Sequence, residues 1–182
     1  MGAENAIETY TYEDYKQWKG DWELIDGMPL AMAPSPVRDH RRIGAELLSF
    51  LTDEVRDCED CEVVYELDYI VDSENVLRPD IALICAEESD YITKAPKIVV
   101  EIVSDATAKR DEKVKFEIYQ REKVLYYILV YPKILLAKIY KLENNIYQKQ
   151  GDFTREKYLF DDLACQVELD FKKVFQKFKR NK

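Results

Sequence analysis

One histidine, His40, is all that 182 residues contain, which excludes histidine-pair metal sites and catalysis by two imidazoles. Glycine and proline are also scarce, at 5 and 6, and leave no room for a low-complexity linker. At this length, with 47% hydrophobic residues, the chain is expected to form a single domain over 1–182 with a substantial core. No apolar run approaches the roughly 18–20 residues that a membrane span requires. The segment from Met1 to Glu8 has neither the basic region nor the apolar stretch of a signal peptide. Ala6 stands where N-myristoylation of Gly2 would want Ser or Thr. A cytoplasmic protein with no membrane partner is expected.

Cysteine is sparse too, with 4 in the chain. Cys58 and Cys61 form a C-x-x-C, but a zinc site would want a second pair of similar spacing, and Cys85 and Cys165 do not supply one. A thioredoxin-like motif would follow a strand and open a helix, whereas this pair falls between a helical pattern and a strand. The four cysteines therefore read as ordinary thiols, as in a reducing compartment.

The net charge of −9 argues against broad non-specific affinity for nucleic acid, which arises mainly from Lys and Arg neutralising phosphates. The basic residues are nevertheless grouped. Arg38, Arg41 and Arg42 fall together, as do Lys109, Arg110, Lys113 and Lys115, and a basic tail runs from Lys172 to Lys182.

Thr11 and the acids after it mark a helix start. Trp22–Asp26 and Leu30–Ala33 flank Gly27 as a hairpin. After the break at Pro34-Ser35-Pro36, Ile43, Leu47, Leu48, Phe50 and Leu51 share one face of a helix from about Arg38 to Val55. Alternation predicts one long strand from Cys61 to Val71, a turn at Asp72–Asn75, and a strand opening at Asp80. Lys97–Val103 reads as a central strand covered on both faces. A helix follows over Ala108–Glu122, then strands at Val124–Val130 and Ile134–Leu142, shorter segments at Ile146–Lys149 and Lys157–Leu159, and a terminal helix from Asp170. Trp18, Trp22, Tyr126, Tyr127 and Tyr131 read as core or dimer-surface aromatics. This order describes a mixed α/β domain with a central sheet flanked by helices.

Two acids interrupt the apolar strands. Pro79-Asp80 opens Ile81-Ala82-Leu83-Ile84-Cys85, and Glu101 sits inside Ile98-Val99-Val100-Glu101-Ile102-Val103. A carboxylate in such a place needs a cation, a metal ion or strong donors, and two of them at neighbouring strand ends could share a divalent metal. In the following helix, Lys115 and Asp111 fall within the apolar arc of Val114, Ile118 and Tyr119, so that Lys115 could reach back toward Glu101. The plainer alternatives are a turn at Asp80, an edge-strand position for Glu101, and an Asp111–Lys115 surface pair. Three such features together favour a site.

Arg78-Pro79-Asp80, Pro96–Ser104, the run Arg110-Asp111-x-x-x-Lys115-x-x-x-Tyr119 and Val124–Val130 resemble the Uma-two family of endonucleases. That family lies in the PD-(D/E)XK, restriction-endonuclease-like superfamily. Trp22–Gly27, and Pro34-Ser35-Pro36 with His40, Ile43 and Leu47, are similar to its opening hairpin and first long helix, and the likeness covers about residues 10 to 142. The resemblance implies a restriction-endonuclease-like α/β fold and a Mg²⁺-dependent endonuclease acting on nucleic acid, DNA in the first instance, with Mn²⁺ as an alternative ion. It implies metal binding by Asp80, Glu101 and the carbonyl of Ile102, with Lys115 orienting or deprotonating water and offsetting phosphate charge. Glu23 is the candidate additional acid, with Glu46 as its rival, and His40 and Arg78 are candidate substrate contacts. A homodimer is expected, since cutting both strands of a duplex needs two sites.

The sequence departs from the pattern at several points. Val103 occupies the position two residues after the Glu where the superfamily carries its lysine, so Lys115 is the substitute. Ser104-Asp105-Ala106-Thr107 and Tyr131 also differ from the usual residues. A catalytically inactive nuclease-fold protein that binds or assembles with a partner is the alternative reading.

Overall fold

Alternation of apolar and polar residues builds the central sheet, and the two sets of side chains it separates form two cores. The computed structural model describes residues 8–32 and 38–178. The Pro34-Ser35-Pro36 break, Gly2 and the last residues of the basic tail lie outside them. In chain order the elements are α1 (Tyr12–Tyr15), β1 (Trp22–Ile25), β2 (Met28–Ala31), α2 (Arg38–Glu54), β3 (Cys61–Tyr65), β4 (Tyr69–Ile70), β5 (Val76–Leu77), β6 (Ile81–Cys85) and β7 (Ile98–Ile102). A π-helical segment (Arg110–Lys115) runs into α3 (Phe116–Arg121), followed by β8 (Tyr126–Tyr131), β9 (Leu136–Glu143), β10 (Ile146–Phe153), β11 (Lys157–Phe160), β12 (Val167–Asp170) and α4 (Phe171–Gln176).

The six-stranded sheet has the order β10-β9-β8-β7-β6-β3, and a four-stranded sheet has the order β2-β1-β5-β4. Only β7 and β8 pair in parallel within the larger sheet, because the helical crossover between them returns the chain in the same direction. On one face, Ile98, Val100 and Ile102 of β7 pack with Ile43, Leu47 and Leu51 of α2 and with Phe171, Val174 and Phe175 of α4. On the other, Val99 packs with Ile118 and Tyr119 of α3 and with Ile25, Tyr69 and Leu77 of the smaller sheet. Each such fully buried aliphatic or aromatic side chain contributes about 1.5–3 kcal/mol of transfer free energy. Among the described residues, no helix is long and apolar enough to cross a membrane.

The hairpin at Gly27 forms as expected. Asp26 and Gly27 both take positive φ, 50° and 71°, the pairing that a tight two-residue turn demands. Tyr126 and Tyr127 are core residues. The long strand expected over Cys61–Val71 is instead two strands in different sheets. Glu66 turns to φ 48°, so β3 stays with β6 while β4 pairs β5. Strands β5 and β12 were not foreseen.

The helix expected over Ala108–Glu122 is π-helical in its first part, and its wider turn changes which residues face inward. Asp111 and Lys115 are buried, whereas Val114, assigned to the apolar arc, is 36% exposed. The cysteine reading also fails. Cys58 is paired with Cys165 and Cys61 with Cys85, because β3 lies antiparallel to β6 with Cys61 opposite Cys85. The second pair that the sequence spacing withheld is supplied in space.

Candidate active site

The site sits where β6 begins and β7 ends. The antiparallel register pairs Ile81 with Val100, and Asp80 and Glu101 are the next residues along the two chains. Glu101 points to the same side of the sheet as Val99, into the layer beneath the π-helical segment. There Lys115 Nζ lies 2.9 Å from Glu101 Oε1 and 2.7 Å from Glu23 Oε1. The Tyr119 hydroxyl donates to Glu101 Oε1 at 2.9 Å. Glu23, wholly buried on β1, also accepts the backbone N–H of Arg78 at 2.9 Å, and Arg110 Nη1 approaches its Oε2 at 3.4 Å. Tyr127 pins the helical segment from below by donating to the carbonyl of Asp111.

Asp80 stands at the mouth of this cluster. Its Oδ2 accepts the Ile102 N–H at 2.6 Å and lies 3.5 Å from His40 Nε2. His40 hydrogen-bonds the Ile102 carbonyl as well. The one histidine therefore bridges two of the groups proposed for the metal, the Asp80 carboxylate and the Ile102 carbonyl. Burial would push the imidazole pKa down, but the Asp80 carboxylate and the Ile102 carbonyl outweigh it and raise the pKa above 6.5. Beside them opens a cleft of about 170 Å³ lined by residues that include His40, Arg41, Gly44, Tyr65, Asp80 and Ile102. Gly44 lets α2 come close to β7, since a Cβ there would meet Ile102 Cδ1 at 3.1 Å.

Negative charge is in surplus. Four carboxylates (Glu23, Asp80, Glu101 and Asp111) act on one another here, against the permanent cations Lys115 and Arg110. Burial is the largest influence on Glu101 and raises its pKa well above 4.5; Lys115 opposes this, while Asp111, Asp80 and Glu23 add to it. Asp111 is raised in the same way. Lys115 is raised too, because the charges of Glu101 and Glu23 outweigh its own desolvation. Glu23 Oε2 and Arg110 Nε are each buried without a hydrogen-bond partner, and Arg110 Nη1 lies 3.4 Å from that oxygen. An excess of hard oxygen donors, one of them unsatisfied, is what a divalent cation such as Mg²⁺ relieves. The oxygen donors are of the kind that suits that ion. Among the described residues, however, no three of these acids and His40 bring ligand atoms within 4.8 Å of one another, so at most two of them would share it.

Of the residues singled out from sequence, the structure joins Glu101, Lys115 and Glu23 in one bonded cluster and Asp80, Ile102 and His40 in a second group next to it. Arg78 joins through its backbone only, since its guanidinium pairs with Asp21 and Asp68 at 2.7 Å each. Glu46 is elsewhere, bound to Lys177. The roles of Tyr119 and Arg110 went unread, although Tyr119 follows Lys115 by four residues on the same helical face.

The molecule is a mixed α/β fold with a buried carboxylate–lysine cluster at the end of its central sheet and a further acid just before the adjoining strand. The chain belongs to the Uma2 family, described as "Putative restriction endonuclease", whose model matches residues 12–171. The fold is similar to that of a "putative nuclease belonging to DUF820" from Anabaena variabilis ATCC 29413, with a TM-score of 0.76 at 17% identity. The match covers 92% of this chain and 98% of that one. Comparison with curated proteins gives no match.

Proposed function

We propose that the protein is a Mg²⁺-dependent endonuclease that hydrolyses DNA phosphodiester bonds. The observation that carries this reading is the convergence of Glu23, Glu101 and Lys115 within 2.9 Å, beside Asp80 on the neighbouring strand. Asp80, Glu101 and the Ile102 carbonyl would hold the ion, which supplies Lewis-acid stabilisation of charge developing on the phosphoryl oxygens. Lys115, fixed between two carboxylates, provides a preorganised positive charge at the same place. Tyr119 and Glu23 hold that ammonium and the Glu101 carboxylate in register. His40 and the cleft along α2 face the approaching strand. In the reaction water oxygen forms the new bond to phosphorus, the ester bond to the leaving sugar oxygen breaks, and that oxygen takes up a proton.

The test is cleavage of supercoiled, linear duplex and single-stranded DNA, and of RNA, with Mg²⁺ or Mn²⁺. Parent protein is compared with Glu101→Gln and Lys115→Ala, each checked for folding by circular dichroism. Loss of a group that stabilises the transition state should reduce cleavage by about 10²–10³-fold. Cleavage that survives both substitutions unchanged would refute the assignment. Metal-independent binding of nucleic acid or a protein partner, unaffected by Asp80→Ala and without cleavage, would favour the inactive binding module instead.

A further inference from the structure

Three of the four cysteine sulfurs lie close together, and the fourth, that of Cys85, adjoins them through Cys61. After α2 the chain turns so that the Cys58 N–H donates to Val55 O at 2.9 Å and the Cys61 N–H to Cys58 O at 3.4 Å, setting Cys58 and Cys61 at the two ends of one turn. The β3–β6 register puts Cys85 opposite Cys61, with Cα atoms 4.0 Å apart. Cys165, in the turn that precedes β12, approaches Cys58 with a Cα separation of 6.1 Å across 107 residues of sequence. The Sγ atoms of Cys58, Cys61 and Cys165 all lie within 4.8 Å of one another, and Cys85 Sγ is bonded to that of Cys61. All four cysteines are half-buried.

Two disulfides acting as separate staples have no need to share a location. Four thiolates around one tetrahedral ion do: at a Zn–S distance of about 2.3 Å the sulfurs sit roughly 3.8 Å apart. The donor set is homogeneous and soft, which suits Zn²⁺ and not Mg²⁺ or Ca²⁺. Each ligand also comes from a segment that gains from being fastened. Cys58 follows α2, Cys61 and Cys85 end the edge pair of the sheet, and Cys165 belongs to the loop between β11 and β12. The hairpin that this loop closes carries Phe160, Val167 and Leu169 into the core, and the Glu168 N–H already reaches back to Glu54 of α2.

We propose that Cys58, Cys61, Cys85 and Cys165, as thiolates, form a tetrahedral zinc site that fastens the β11–β12 hairpin to the end of α2 and to the β3–β6 edge. The site is separate from the carboxylate cluster and independent of its function. Binding forms four Zn–S bonds and releases up to four thiol protons to buffer, with no electron transfer. The disulfide-paired form reaches it only after reduction. Two equivalents of a phosphine are oxidised to phosphine oxide with oxygen from water, and each disulfide becomes two thiols.

The experiment uses the full chain, reduced with a phosphine, loaded with Zn²⁺ and desalted. Zinc content should be one per chain, and the four thiols should resist an aromatic disulfide reagent until a chelator is added. Co²⁺ in place of Zn²⁺ should give thiolate charge-transfer and tetrahedral d–d absorption bands. Cys165→Ser should weaken retention by more than the roughly 10–100-fold typical of losing an outer-shell partner. No retained metal, four freely reactive thiols in the presence of Zn²⁺, or octahedral Co²⁺ bands would each overturn the proposal. The parent-protein measurements decide even if the variant does not fold.

Discussion

Strand β6 carries a different chemistry at each end. It opens after Asp80, whose carboxylate accepts the Ile102 N–H and meets His40, and it closes on Cys85, bonded to Cys61. At the first end, charge is packed into the interior and held by a dense set of hydrogen bonds. At the second, soft sulfur sits half-buried where α2, the sheet edge and the β11–β12 hairpin come together. The difference arises from neighbours. At its start β6 faces the end of β7, which places Glu101 beneath the π-helical segment. At its end it faces the start of β3, where the turn after α2 delivers two more sulfurs. The cost of burying charge should therefore be concentrated at the acidic end, and the fastening of separate segments at the other.

The largest test of that contrast is Lys115→Ala. It leaves Glu23 and Glu101 facing each other in a site where Lys115 had bonded both, and removing one partner of a buried ion pair costs about 3–5 kcal/mol. Urea unfolding should show a loss of that size. Much of it should return in Glu23→Gln/Lys115→Met, which removes the opposed charge together with the lysine. A loss below about 1 kcal/mol, the range of exposed pairs, would mean that water reaches the cluster and that its charges are not interior ones.

That acidic cluster was largely legible in the sequence, and the physical reason is that it breaks a local rule. Glu101 in an otherwise apolar strand is an anomaly that one strand's pattern exposes, and Lys115 lay on the inward side of a helix. Glu23 was readable only as one of two candidates, because nothing local separates it from Glu46. The separation comes from β1 pairing β5, which sets Glu23 against the Arg78 amide. The hydroxyl of Tyr119 was hidden because an aromatic on an apolar face satisfies the pattern without it. The sulfur end broke no local rule at all. A half-buried cysteine is ordinary, and Cys58 and Cys165 meet only through pairing across 107 residues. The π-helical turn was equally invisible, since it shifts the phase of a helical pattern without changing its composition.

Tyr119→Phe asks for less. It deletes one hydrogen bond to a buried carboxylate at 2.9 Å and leaves the ring in the core. Hydrogen bonds to charged groups contribute about 1.5–3 kcal/mol, so stability should fall by less than in Lys115→Ala. Cleavage should fall as well if the hydroxyl fixes the direction of the Glu101 carboxylate. Wild-type stability in Tyr119→Phe would show that Lys115 alone holds Glu101.

The smallest effect sharpens the comparison most, because it sets one carboxylate against another. Glu87 lies two residues beyond Cys85, and its carboxylate accepts the N–H groups of Thr93 at 2.7 Å, Lys94 at 3.0 Å, Glu88 at 3.1 Å and Ser89 at 3.2 Å. Burial opposes its charge, but the amides of Thr93, Lys94 and Ser89 and the Thr93 hydroxyl outweigh it and hold the pKa down to about 2. Glu101, at the other end of the neighbouring strand pair, is moved upward by burial among other acids. A lowered pKa means that the folded loop favours the ionised form. Its contribution to stability is thus fully present above the ordinary value of 4.5 and lost as pH falls through about 2. Glu87→Gln keeps the shape but not the charge, so the stability difference from the parent should be constant at neutral pH and shrink across that acid window. A difference that stays flat from neutral pH to about 2 would mean that amide geometry, and not charge, anchors the loop after Cys85.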